Sequence, residues 1–145
     1  MVPARFAVAT HILLLLATAQ DKEVPGSRGG IATSVWLAER VHTNSVVVRR
    51  LSGRLARAGL LHVRRGSGGA ALARPPEAIT LEDVWLALHD AHRQPLLPLH
   101  AGASGSAAEG AQTVLAGAFA QVEAAFRAGL RNLTLHDLVG RMNAG

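Results

Sequence analysis

The chain has no cysteine among its 145 residues, which excludes disulfides, thiolate zinc sites and cysteine-held iron–sulfur clusters. It is almost without lysine: fourteen arginines stand against Lys22 alone, a bias that genomic base composition can produce in a chain rich in alanine and glycine. No apolar run approaches the ~20 residues of a membrane-spanning helix, because Thr10 and His11 interrupt the N-terminal run and Asp21 ends it. A soluble protein with no membrane partner is expected. One third of the chain also lacks acids: from 28 to 74 there are nine arginines (28, 40, 49, 50, 54, 57, 64, 65 and 74) and one acid, Glu39. Composition can choose arginine over lysine, but it does not remove acids from one segment. The local balance of +8, within a formal net charge of +5, points to a polyanionic partner.

The length suits one domain, or a small domain with an appended assembly element. A first helix is expected from about residue 3 or 4 to residue 20, followed by the loop DKEVPGSRGG. In TSVWLAERVHTNSVVVRRLSGRLARAGLL, Thr33 or Ser34 can cap one helix and Asn44 the next, with VHTN as the turn between them. Val48, Leu51, Leu55 and Ala58 form a stripe to be buried, and Gly59 supplies a C-terminal stop. The opposite face of that helix then holds Ser45, Val46, Arg49, Arg50, Gly53 and Arg57.

LLHVRRGSGGAALARPP has two short apolar arms around RRGSGG, the pattern of a β-hairpin with a glycine-rich tip. Helix, tight turn, arginine-bearing helix and arginine-tipped hairpin together give the order of a winged helix-turn-helix. The fold expected is mainly α with a small β-hairpin wing: a DNA-binding domain over 1–79, then a linker helix, a loop and dimerisation helices over 80–145. The 44–58 helix would enter the major groove, and the 61–73 wing would lie on the backbone or minor groove. The residues expected at double-stranded DNA are Thr33, Ser34, Asn44, Ser45, Val46, Arg49, Arg50, Arg54, Arg64, Arg65 and Ser67.

TNSVVVRRLSGRLARAGLL followed by RRGSGGAALARPPEAITLEDV resembles the bacterial winged-helix transcription regulators of the Rrf2 type, the group of IscR, NsrR and CymR. The similarity runs in order from the N-terminal helix through the long C-terminal helix. The resemblance implies a dimeric, sequence-specific regulator, a repressor in most cases, that answers a cellular signal such as a small-molecule effector. Two departures stand out. Members that sense redox state or nitric oxide carry three cysteines where this chain has HDAHRQPLLPLHAGASGSAAEGA, so no cofactor of that kind is expected. An aromatic residue usually follows the two wing glycines, where Ala70 stands here.

The opening stretch RFAVATHILLLLATAQ also has the parts of a secretory signal peptide. A winged helix needs a third helix behind its pair, however, and residues 4–20 are what can supply it. Phe6, Ile12, Leu13 and Leu16 are therefore expected inside, Arg5 near the DNA-facing edge, and the protein in the cytoplasm. Downstream, Thr80 with Asp83 forms a capping-box pattern ahead of a helix on which Val84, Trp85 and Leu88 can pack. A long helix over about 107–128 carries Ala111, Leu115, Ala118, Val122 and Ala125 at four-three spacing, flanked by Phe119 and Phe126. Ala111, Leu115, Ala118, Phe119, Val122 and Phe126 are expected at a homodimer contact. LTLHDLVGRM adds a last short helix.

Enzymatic readings find little to stand on. His89, His92 and His100 have spacings a metal could use, but no Cys, Asp or Glu in that loop completes a set, and no metal site is assigned. Glu82 and Asp83 are adjacent on a helix and point apart, which is not a general acid–base pair. The serines have no identifiable histidine and acid partners. Beside the transcription regulator stand two other readings: a winged-helix module for non-specific DNA binding or protein assembly, and an exported basic protein.

Overall fold

The computed structural model describes residues 4–19, 32–64, 69–89, 95–102 and 104–145. The first helix, α1 (Arg5–Ala19), is apolar around most of its circumference, and such a helix is stable only when surrounded. Ala9, Ile12, Leu13, Leu16 and Ala17 are enclosed by the rest of the fold, while Phe6 is half-buried. The apolar run of the N-terminus is therefore the centre of the core.

Two helices pack against α1: α2 (Ser34–Val41) and α3 (Ser45–Arg57). Each begins where a polar side chain satisfies an orphan amide. The Thr33 hydroxyl accepts from the Trp36 N–H at 3.2 Å, and Asn44 Oδ1 accepts from the Val47 N–H at 2.9 Å. His42 closes α2 in the left-handed region, with φ 58°, so the turn to α3 takes few residues. On α3, Val48, Leu51 and Leu55 are buried as their spacing predicts, but Ala58 is exposed and Ser52 is buried instead. The helix ends at Arg57 and the chain swings away through Gly59 at φ 77°, which carries Ala58 off the stripe.

The wing is the antiparallel pair β1 (Leu61–Val63) and β2 (Ala70–Leu72), in the register Leu61↔Leu72, His62↔Ala71 and Val63↔Ala70. The Arg64 N–H extends it by donating to the Gly69 carbonyl at 3.0 Å. Ala70, which stands where the resembled family usually has an aromatic, is buried and exchanges backbone hydrogen bonds with Ala32 at 2.8 and 3.1 Å. Ala32, two residues ahead of α2, is thereby pinned to the wing.

Three helices complete the fold: α4 (Leu81–Leu88), α5 (Ser106–Arg131) and α6 (Leu135–Ala144). Thr80 with Asp83 and Thr134 with Asp137 both form full capping boxes. The two caps lie side by side, because Leu81 N–H donates to Leu133 O and Leu135 N–H to Ile79 O, each at 2.9 Å. Leu135 of α6 and Val84 and Leu88 of α4 belong to the same apolar cluster as α1 and α3. The core thus runs across the expected division between residues 79 and 80.

The helix α5 extends three residues beyond the expected end at 128, and the extra turn has a use. Glu82 of α4 is nearly enclosed; its carboxylate accepts from Arg131 Nε at 3.0 Å, Arg131 Nη2 at 2.9 Å and Arg127 Nε at 3.3 Å. The hydrogen-bonded Arg131 and the charge of both arginines hold this carboxyl below its ordinary range, although burial pulls the other way. Removing the acid leaves two arginines that water can solvate, whereas removing both arginines strands a buried carboxylate. Glu82→Gln should therefore cost on the order of 1 kcal/mol in urea unfolding, and Arg127→Ala/Arg131→Ala should cost more. The opposite order would mean that the acid contributes by packing and not by charge.

Candidate nucleic-acid interface

At 100° per residue, the buried side of α3 formed by Val48, Leu51, Ser52 and Leu55 leaves Val46, Arg50, Gly53 and Arg57 on the opposite side. Val46 is 49% exposed, a large apolar side chain that the core does not use. Arg49 lies on the flank nearer the wing and Arg54 on the flank nearer α4. This separates arginines that look equivalent in the sequence. Arg54 Nη1 donates to the Leu88 carbonyl at 3.2 Å and so ties α3 to the end of α4.

Other arginines of the basic segment are also engaged. Arg74 donates to the carbonyls of Gly59 and Ala58, both at 3.3 Å, and so satisfies the C-terminal end of α3. Arg40 stacks on the Trp36 ring with its guanidinium carbon 3.8 Å from the centroid. Arg28, Arg65 and Ser67 lie outside the described residues. Arg49, Arg50, Arg57 and Arg64 remain: all four are exposed, and none has a side-chain partner among the described residues. The expected contacts Thr33 and Asn44 serve as helix caps through their side-chain oxygens, Ser45 is half-buried at the first turn of α3, and Ser34 opens α2.

Between α2, α3 and the wing lies a cleft of about 290 Å³, whose walls include Ser34, Arg49, Ser52, Gly53 and Arg64. No acid lines it. Arg5 was expected near the DNA-facing edge. It is half-buried beside His89, because the N-terminal end of α1 packs on α4 through Phe6 and Trp85, whose ring centroids are 5.4 Å apart.

The histidines divide by environment. His89 is buried and stacks on Trp85 at 3.7 Å, with Nδ1 bonded to the Trp85 carbonyl at 3.0 Å. Burial chiefly, then the nearby Arg5 and Arg54 charges, lower its pKa. His100 is exposed and His92 lies outside the described residues. Among the described residues no three His, Asp or Glu side chains converge as a metal site would require. Because His89 is held neutral when folded, stability should fall as pH drops below about 6.5, where the unfolded histidine takes up its proton. Glu82 continues the loss lower down: its depressed folded value makes its contribution complete above the ordinary carboxylate range and lost as pH falls through that value. Thermal melts between pH 7.5 and about 3 should show both stages, and His89→Gln should flatten the first.

The expected dimer stripe lies on an open face of α5. Ala111, Leu115, Ala118 and Val122 are exposed, Val122 by 51%, and the neighbouring Val114, which the spacing did not single out, by 71%. Phe119 and Phe126 are half-buried, and the Phe126 ring packs edge-on to Trp85 at a centroid distance of 5.0 Å. Phe126 is therefore an internal anchor of α5 on α4.

Three helices, a two-stranded wing and an arginine-bearing second helix of the helix-turn-helix define a winged helix-turn-helix DNA-binding protein. Residues 2–141 match the Rrf2 family, described as an iron-dependent transcriptional regulator, and the chain belongs to that family of regulators. It is 31% identical over 144 residues to YwnA of Bacillus subtilis (strain 168), an HTH-type transcriptional regulator by name, covering 98% of this chain and 99% of that one. The fold is shared with the solved IscR of T. potens, at 20% identity and a TM-score of 0.69 over 98% of this chain and 88% of that one. It is likewise shared with CymR, the global cysteine regulator of B. subtilis, at 20% identity and a TM-score of 0.65 over 97% of each chain. The family is one of transcription regulators and not of enzymes. Its iron does not fit these residues as a cysteine-held group, since the chain has no cysteine.

Proposed function

We propose that the protein is a cytoplasmic, homodimeric transcriptional repressor that reads a palindromic operator, with α3 in the major groove and the wing on the sugar–phosphate backbone or minor groove. The observation that carries this reading is the sorting of the arginines. Arg54 and Arg74 are tied to carbonyls, while Arg50 and Arg57 share an outward face with Val46, and Arg49 and Arg64 stand on either side of the cleft between α3 and the wing. An outward face that offers guanidinium donors beside an apolar side chain suits guanine edges and thymine methyl groups. The open stripe on α5 supports a twofold assembly, and an inverted-repeat operator is the DNA counterpart of that symmetry. An effector, where one acts, works without thiol chemistry.

Selection of bound fragments from genomic DNA by the purified protein tests the proposal. It should enrich an inverted repeat whose half-sites are centred about 10 base pairs, or a multiple of that, apart. Recovery of fragments without a shared motif would favour the non-specific module instead. Regulation in the opposite sense would appear as lower, not higher, transcription of the neighbouring gene when this gene is deleted.

A further inference from the structure

Gly53 is the ninth residue of a thirteen-residue helix, a position where glycine is among the least favourable choices. Nothing among the described residues asks for it. Its backbone is helical, and a Cβ added there meets no atom within 4 Å. The glycines of α5 also face open space, so an unfilled glycine alone carries no argument. Gly53 differs in what surrounds it: it forms part of the wall of the cleft between α3 and the wing, with Arg49 beside it on the helix and Arg64 across from it on the wing. The hydroxyl-bearing Ser34 and Ser52 line the same space.

We infer that this cleft seats one phosphodiester of the operator backbone in each half-site, and that Gly53 is kept side-chain-free so that the phosphate can approach the α3 backbone. The inference rests on the DNA-binding reading above and deepens it. The sugar–phosphate strand is the wall between the major and minor grooves. A protein with α3 on one side of that wall and the wing on the other must pass the strand through the gap between them. Two guanidiniums converge on that gap from opposite sides and, among the described residues, no carboxylate opposes them, which suits a single negative charge shared between helix and wing. Arg49 is accordingly a phosphate contact, and base reading falls to the outward face that carries Arg50. A methyl group at position 53 would stand between the strand and the helix and hold the phosphate off both arginines.

The test uses the full-length protein and the duplex recovered by genomic selection. Gly53→Ala and Gly53→Leu, both better helix formers, should raise the thermal midpoint while lowering operator affinity, about tenfold for alanine and further for leucine. A rise in stability coupled to a loss of binding is not the signature of a damaged fold. Single methylphosphonates, scanned along each strand, should reveal one phosphate per half-site whose neutralisation weakens wild type about tenfold and leaves Gly53→Leu unchanged. Inorganic phosphate at millimolar concentration should compete no more than chloride of equal ionic strength. Unaltered operator affinity in both variants, or a methylphosphonate profile identical in wild type and Gly53→Leu, would overturn the inference while leaving the DNA-binding reading intact. Saturable phosphate binding that blocks DNA at constant ionic strength would instead assign the cleft to a free phosphate-bearing ligand. A wild type that prefers the selected duplex no more than a scrambled one would overturn the sequence-reading proposal itself.

Discussion

Leu115→Glu is expected to turn the protein into a monomer and to lower operator affinity by about 10²- to 10⁴-fold, the gain that linking two half-site contacts provides. Leu115 and Val122 lie on the open face of α5, so a carboxylate there meets water in the monomer and leaves the fold intact. In a dimer that buries the Ala111, Leu115, Ala118 and Val122 stripe, the same carboxylate would be desolvated without a partner. Val122→Glu should act alike, whereas Phe126→Glu should destabilise the monomer, because Phe126 already packs on Trp85. Light scattering and far-ultraviolet circular dichroism separate these outcomes. A Leu115→Glu protein that remains dimeric would place the dimer contact on another surface.

Arg50→Ala is expected to cost on the order of 1–3 kcal/mol at the operator and to relax base preference, with less effect on random DNA. Arg50 lies opposite the buried side of α3, beside the exposed Val46, where a side chain can reach a guanine edge. Arg64→Ala should instead weaken operator and scrambled duplexes alike and lower the salt slope by about one for the lost phosphate contact. Arg49 separates from Arg50 here: the two are adjacent in sequence, but Arg49 shares the cleft with Arg64, so Arg49→Ala should follow the wing pattern. Arg54→Ala should show itself mainly in stability, since its guanidinium holds the Leu88 carbonyl. Titrations on both duplexes across a salt series distinguish these roles. Equal losses on the two duplexes for Arg50→Ala would remove α3 as a reader of sequence.

Local chemistry was legible in the sequence, and contacts between distant residues were not. Asn44 and Thr80 could be placed as caps, and Thr33 as one of two candidates, because a cap is written within four residues. Val48, Leu51 and Leu55, and the stop at Gly59, follow from the period of one helix. The engagement of Arg54 with Leu88, 34 residues away, leaves no periodic trace, nor does the reach of Arg127 and Arg131 across 45 and 49 residues to Glu82. Those contacts decide which charges are engaged inside the fold, which a count of arginines along the chain does not reveal. The packing of Phe6 at the N-terminal end of α1 on Trp85 was hidden for the same reason, since Trp85 lies in the part of the chain assigned to another unit. Gly53 was visible on the outward face of α3, but only the wing folded beside it turns that position into a cleft.

The central claim is that α3 reads base edges in the major groove, and single replacement of each operator guanine by 7-deazaguanine tests it most directly. That change removes the N7 acceptor from the major groove and leaves base pairing unaltered. One guanine in each half-site should lower wild-type affinity about tenfold when replaced, about 1.4 kcal/mol, and Arg50→Ala should be indifferent to the same replacement. Binding that no 7-deazaguanine disturbs, or an Arg50→Ala protein as sensitive as wild type, would contradict the account.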